Sequence, residues 1–290
     1  MNLNEQSVSV NEEKWTPSCI HSLGKRETLI KTGYLKKMVE CALISPYINN
    51  EKPLSLLIVA KPESGKSSVM KQYRQNRGVV YLSDCTAYGI TRDILPKMVT
   101  GEAKTIMIPD LITPLSKSDK TRKSLIAFLN NLVEEGVAKM TSYATVWNQD
   151  VNANIITAIT DEALRDGRRG WAKMGFLSRF ILFTYSYSLS TVVEILKLYS
   201  EQGLEYNQIE LALPEETIDI ELPRAYADEI DPMAIKIGQQ FRLYGFRAKI
   251  NFRSLLKCLA FRNGRDIVTD KEFDEFQELA NHMNFDYNPI

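Results

Sequence analysis

One short stretch of the chain has residue types and spacing that could do chemistry: Ala60, Lys61, Pro62, Glu63, Ser64, Gly65, Lys66 and Ser67, followed by Ser68. A small residue, four others and then Gly-Lys-Ser is the spacing of a loop whose backbone N–H groups curl around phosphate oxygens. In such a loop Lys66 reaches the β- and γ-phosphates of a nucleotide, and the Ser67 hydroxyl ligates Mg²⁺. The expected ligands are therefore ATP and Mg²⁺. Average residue frequencies give such a pattern by chance roughly 0.02 times in a chain of this length.

A phosphate loop needs a buried strand before it and a helix after it, and both are legible. The apolar run Leu54 to Val59 suits a strand buried on both faces, and Lys66–Arg74 reads as a helix. The alternation continues. Strands are expected at Gly78–Ser83, Thr105–Ile108, Asn154–Thr160 and Phe180–Tyr185, with a short β excursion at Ser142–Trp147. Helices are expected at 26–48, Ile90–Val99 (interrupted by Pro96), Thr121–Glu135 and Thr191–Gly203. Strands alternating with helices imply an α/β fold, a parallel sheet sandwiched by helices. After residue 203 the character changes. A hairpin or two extended strands are expected around Pro214, then helices at Arg224–Leu243, Phe252–Arg262 and Asp270–Met283. The organisation expected is a polar tail at 1–25, a nucleotide-binding core at 26–203, an extended linker at 204–222 and a smaller helical domain at 223–290.

A second acid is needed to hold the water shell of the metal. Asp110, which ends the mostly apolar run Thr105 to Pro109, has the look of a Walker B aspartate. With this loop and acid the chain resembles the AAA+ P-loop ATPases over about residues 30–285. The stretch Gly175-Phe176-Leu177-Ser178-Arg179-Phe180 is similar to a segment of minichromosome-maintenance-type helicases in that family. There the arginine is a finger inserted into the neighbouring subunit's ATP site, and Arg179 is the matching position. The resemblance also implies that Thr160, with Thr157 second, is a polar sensor at the end of its strand. Arg253 would be a second sensor contacting the γ-phosphate, on a helical lid over the core. Gly264 to Thr269 resembles the link between the last two lid helices, with Thr269 or Asp270 capping the final one.

The chain departs from the family at one position that matters. The family usually places Glu after the Walker B Asp, as the base that orients the attacking water, and here Leu111 follows Asp110. Three readings follow. The base comes from elsewhere, with Asp84 at the tip of the Gly78–Ser83 strand the first choice, since another P-loop lineage carries its acid on the strand beside the P-loop strand. Or Asp110 is itself the base. Or hydrolysis is slow and the protein is a nucleotide-gated switch. A base and its water are worth about 10²–10⁴-fold in rate.

The rest of the composition bounds the partners. Thirty-six basic and 36 acidic side chains give no net charge, so only arrangement could favour nucleic acid. Basic residues do cluster at Lys117, Lys120, Arg122 and Lys123 and at Arg165, Arg168 and Arg169, with Trp147 and Trp171 as stacking candidates. The four cysteines form no CxxC pair and there are two histidines, which argues against structural zinc and for reduced, buried thiols in a cytoplasmic setting. No apolar run is long enough to span a bilayer. The function expected is that of an ATPase acting at subunit interfaces of a homo-oligomeric ring or filament, a hexamer among them. Its substrate would be DNA or a DNA-bound protein, in a helicase-like, replication, packaging or mobile-element role. The alternatives are an ATP-gated adaptor or loader with little hydrolysis, and a protein remodeller of the MoxR or chelatase type.

Overall fold

The computed structural model describes residues 29–134, 136, 140–142, 145–147, 151–202 and 207–290. The segment 1–25, read as a tail, lies outside them. Five strands form one all-parallel sheet: β1 (Leu56–Ala60), β2 (Gly78–Tyr81), β3 (Ala103–Ile108), β4 (Asn154–Thr160) and β5 (Ile181–Thr184), in the order β2-β3-β4-β1-β5. β1 is thus flanked by β4 and β5, while β2 is an outer strand. A separate antiparallel hairpin pairs Met140–Ser142 with Thr145–Trp147.

The longer helices are α1 (Gly33–Ile44), α2 (Lys66–Gln72), α3 (Asp119–Glu134), α4 (Asp161–Lys173), α5 (Leu189–Gln202), α6 (Asp231–Gln240), α7 (Phe246–Arg262) and α8 (Asp270–Ala280). Helix α4 was not expected. The interrupted helix at 90–99 is a π-helical turn, Ile90–Ile94, followed by an α-helix, Leu95–Val99, with Pro96 in its first turn. The helix expected over Arg224–Leu243 is two pieces, Arg224–Glu229 and α6, divided at Ile230 with Pro232 in the first turn of the second. The hairpin expected around Pro214 does not form. Residues 207–222 run extended along the core, with single parallel bridges from Ile218 to Ile48 and from Glu221 to Ile267. A backbone carbonyl of α2, that of Gln72, accepts from Ile209 N, and Asn76 anchors the same segment by donating to Ile209 O at 2.7 Å.

Strand residues alternate between two hydrophobic clusters, one on each face of the sheet. Leu56, Ile58 and Ala60 face one cluster with Ile156, Ala158 and Phe183. Leu57 and Val59 face the other with Ile106, Ile155 and Leu182. Helix α3 covers the second face through Leu125, Leu129 and Leu132. The C-terminal helices share the first face with α1: Phe252, Leu255, Leu259, Phe276 and Leu279 belong to the same cluster as Leu35, Val39 and Leu43. Residues 223–290 therefore pack on a face of the sheet, in continuous apolar contact with it. Cys41, Cys85 and Cys258 are free and buried, as expected, and Thr269 caps α8 in a capping box with Glu272.

Two buried polar groups tie these layers. Asn154 is fully buried; its amide donates to Ala42 O (2.7 Å) and Leu54 O (2.9 Å) and its oxygen accepts from Thr105 Oγ1 (2.7 Å). Glu40 on α1 accepts from Tyr73 Oη, just past α2, at 2.8 Å and from Arg262 Nε on α7 at 2.5 Å. This bond pair joins α2, the helix that follows the 60–65 loop, to the C-terminal helices. Glu40→Gln removes the counter-charge of Arg262 and is expected to lower unfolding free energy by about 2–3 kcal/mol. Denaturant titration checks this, and a loss below about 0.5 kcal/mol would show the network to be idle.

Candidate phosphate-binding site

The loop lies where the sequence puts it, between β1 and α2. Ala60 is the last residue of β1, fully buried and paired with Thr160, so the first position of the motif needs small size and no unusual dihedral. Positive φ falls later, at Glu63 (62°) and Gly65 (82°). At Gly65 a side chain would meet both this dihedral and Leu29 Cδ2, 3.0 Å from the Cβ position. Glu63 has no such freedom, and a non-glycine residue held in the left-handed region marks a loop fixed by its surroundings.

Those surroundings are two tyrosines just beyond β5. Tyr185 Oη donates to Ser64 O at 2.9 Å and Tyr187 Oη to the same carbonyl at 2.8 Å, using both its lone pairs. Burial raises the pKa of both phenols, that of Tyr187 to about 12, so both remain donors at neutral pH.

Lys66 is 9% exposed. Its ammonium donates to Ala60 O (2.8 Å), Lys61 O (2.7 Å) and Ser64 Oγ (3.2 Å). Burial pushes its pKa down to about 8, while the charges of Asp161 and Asp110 oppose the fall. A cation bound only by neutral oxygens at the foot of a loop is suited to an anion. Above the loop a cavity of about 730 Å³ is walled by Tyr187, Val192, Ile195, Leu196 and Tyr199. That volume is in the range of small-molecule sites, and the mixture of aromatic and aliphatic walls suits a purine.

Ser67 Oγ lies 3.3 Å from Pro109 O, which brings the first turn of α2 against the end of β3 and beside Asp110. The Asp110 carboxylate is exposed; it accepts from Ile112 N (3.0 Å) and Thr113 Oγ1 (3.2 Å), leaving lone pairs on each oxygen. Among the described residues no three acidic, histidine or cysteine side chains gather as a metal cage. A hydroxyl and one carboxylate, both hard oxygens, fit Mg²⁺, which keeps waters and takes its other ligands from phosphate.

Other expected residues are placed differently. Asp84 follows β2, on the outer side of the sheet. Three strand spacings, about 14 Å, separate β2 from β1, and the Asp84 carboxylate is held by Lys117 Nζ at 2.6 Å and Cys85 N at 2.8 Å. It does not reach the loop. Thr157 is fully buried and donates to Ile108 O at 2.8 Å, holding β4 to β3. Thr160 is beside the loop, but its hydroxyl accepts from Ala163 N at 3.2 Å as the N-cap of α4. Arg253 binds Glu51 at 3.0 Å, and Glu51 precedes β1. The loop follows that strand, whose length is roughly 16 Å, so the structure does not bring Arg253 to the phosphate position. Arg179 lies just before β5, also at the N-terminal end of the sheet. It pairs with Glu134 at 3.2 Å and donates to Gly175 O at 2.5 Å. Trp171 is a core residue, 8% exposed and edge-on to Phe176, so it offers no stacking face. The side chain of Trp147 lies outside the described residues.

The residue that sequence reasoning missed is Asp161. β4, not β2, is the strand beside β1, and Asp161 is the first residue past it. The only signal in the sequence was its place directly after the apolar run Asn154–Thr160.

No protein-family model matches the chain, and no curated protein is significantly similar to it. The site therefore stands on its own geometry. A phosphate would hold Lys66 protonated, so affinity for ATP should be flat below pH 8, where the free ammonium is already charged. It should fall by up to tenfold per pH unit above about 8, with proton uptake on binding. Titration calorimetry in buffers of different ionisation enthalpy measures both. An affinity independent of pH from 7 to 9.5 would contradict the depressed pKa.

Proposed function

We propose that the chain binds ATP with Mg²⁺ over residues 60–68 and hydrolyses it, as one subunit of a ring or filament that acts on DNA. The observation that carries the nucleotide reading is the buried Lys66 ammonium, bound to Ala60 O, Lys61 O and Ser64 Oγ at the foot of an open cavity. Backbone N–H groups of the loop would hold the β-phosphate, Lys66 the β- and γ-oxygens, and Ser67 and Asp110 the metal with its waters. Mg²⁺ bound there would neutralise charge on the β- and γ-phosphates. Tyr187 and the apolar face of α5 would flank the base.

Assembly is supported by α5. Leu189, Val193 and Leu196 share one side of it and are 80%, 56% and 58% exposed, an apolar stripe beside the nucleotide cavity. Arg179 cannot serve its own loop from the far end of the sheet. A role on nucleotide is open to it only across a subunit boundary and after release from Glu134. DNA is the proposed polymer because Arg122, Lys123 and Lys173 line one trough between α3 and α4.

A second reading has its own observation. Leu111, where the family usually has glutamate, is fully buried, so no side chain from that position can orient water. This favours an ATP-gated adaptor or loader with slow turnover.

Binding of a labelled ATP analogue with Mg²⁺ tests the common core of both readings. Lys66→Ala is expected to weaken it at least tenfold, and a wild-type chain that binds no purine triphosphate would refute them together. Turnover measured with single-stranded DNA, duplex DNA or protein added separates the motor from the adaptor and from a protein remodeller. Arg179→Ala should keep ATP affinity within about threefold while turnover falls at least tenfold in the assembled state. Normal turnover in that variant removes Arg179 from the chemistry.

A further inference from the structure

The proposed ATPase lacks the usual base, and the structure places a different carboxylate beside the loop. Thr160 is the strand partner of Ala60, the last residue before the loop turns away from the sheet. Asp161 is one residue further on. It therefore emerges from the strand next to β1, about 4.8 Å away, at the level of Lys61. Asp110 emerges from β3, one strand further out, with Leu111 N bonded to Ala158 O at 2.9 Å. Loop, Asp161 and Asp110 thus stand in a row along the C-terminal ends of β1, β4 and β3.

The surroundings of Asp161 leave it available. Its side chain is 19% exposed, and its ion pair, with Arg165 one turn along α4, is a loose 3.5 Å. The hydroxyl that caps α4 belongs to Thr160, so Asp161 is not needed for that duty. The charged and titratable groups that face it are Lys66 from the loop, Arg165 on its own helix and Tyr287 from the C-terminal segment, with Arg168 and Asp110 nearby. The two acids also differ in what they already hold. Asp110 is turned back onto Ile112 N and Thr113 Oγ1, in keeping with a fixed metal-side acid.

We infer that Asp161 is the catalytic base of this site, holding the attacking water against the γ-phosphate in place of the glutamate absent at position 111. This rests on the ATPase reading above. The water oxygen bonds to the γ-phosphorus as the bond from that phosphorus to the β–γ bridging oxygen breaks. The bridging oxygen leaves on ADP, and the proton lost by water passes to the Asp161 carboxylate and then to phosphate or solvent. No oxidant or further reactant is needed.

The test compares the wild-type chain with Asp161→Asn and Asp161→Glu. Asp161→Asn keeps size and suits the first turn of a helix, so folding should survive. Its turnover should fall at least 100-fold while ATP affinity at pH 7 stays within about threefold. Asp161→Glu should recover at least tenfold of that loss. A second readout does not depend on turnover: the ATP affinity and thermal unfolding of Asp161→Asn should both stay close to those of the wild type, whereas a carboxylate serving only α4 would lower the unfolding temperature and leave turnover per folded chain intact. Undiminished turnover in Asp161→Asn, or a loss of turnover matched by a loss of folding or of ATP affinity, overturns the assignment and leaves the nucleotide site standing. Wild-type protein that binds ATP but never turns it over overturns it too. Failure of the wild type to bind ATP removes the site itself.

Discussion

An ammonium group buried among carbonyls is the constraint around which the rest of this structure is arranged. Lys66 gives up water and receives neutral oxygens in return. The drop in its pKa from 10.5 to about 8 expresses a cost of roughly 3 kcal/mol to the charged form. The sign follows from linkage. With the folded value below the unfolded one, the cost is fully present below pH 8 and is relieved as pH rises from 8 towards 10.5. The scaffold must offset that cost in the folded chain. The two tyrosine hydroxyls on Ser64 O and the close-packed β1 behind the loop are the visible parts of that support, and they also hold Glu63 at its unfavourable positive φ.

Support for the loop extends beyond the sheet. β1 is buried on both faces, so its C-terminal end cannot shift without disturbing two hydrophobic clusters. Asn154 binds α1, β3 and the approach to β1 at once. Tyr73, Glu40 and Arg262 connect the end of α2 with α1 and α7. Any displacement of α2 therefore meets α7 through one charged hydrogen-bonded bridge, a direct physical contact between the helix after the loop and the C-terminal helices.

The loop, all five sheet strands to within two residues at each end, and the start of α8 were legible because each has a local cause: a buried apolar run, a glycine needing positive φ, a polar residue able to cap a helix. Helix α4 was not, because it is strongly polar on average: its two sides differ sharply in polarity, but Leu164 and Trp171 are the buried residues it offers among many charged ones. Strand order was illegible for a different reason. The sequence shows that β2 follows the loop, but the pairing of β1 with β4 depends on crossovers that periodicity does not record. The pairing puts Asp161, the first residue past β4, beside the loop, while Asp84 lies three strands from β1. The places of Arg253 and Arg179 were illegible for the same reason. Glu51 and Glu134 are ordinary acids in sequence, and only the fold shows that they hold these arginines at the other end of the sheet.

The separation of the two ends has a consequence for any subunit-to-subunit chemistry. One end of the sheet holds the loop, Asp161, Asp110 and the exposed stripe of α5. The other holds Glu134 with Lys52, Arg179 and Arg247, and Glu51 with Arg253 and Lys257. In these two groups five cations meet two carboxylates. Arg247 and Arg253 are the more exposed of them, with side chains 39% and 43% exposed, while Arg179 is 17% exposed. Contact between unlike ends of two copies is heterologous, so it propagates into a ring or a filament rather than closing as a dimer. Each of these arginines is held by a carboxylate: Arg179 and Arg247 share Glu134 with Lys52, and Arg253 shares the buried Glu51 with Lys257. Withdrawing any of them therefore takes one partner from a carboxylate that is partly or fully buried, a cost that exposure alone does not remove.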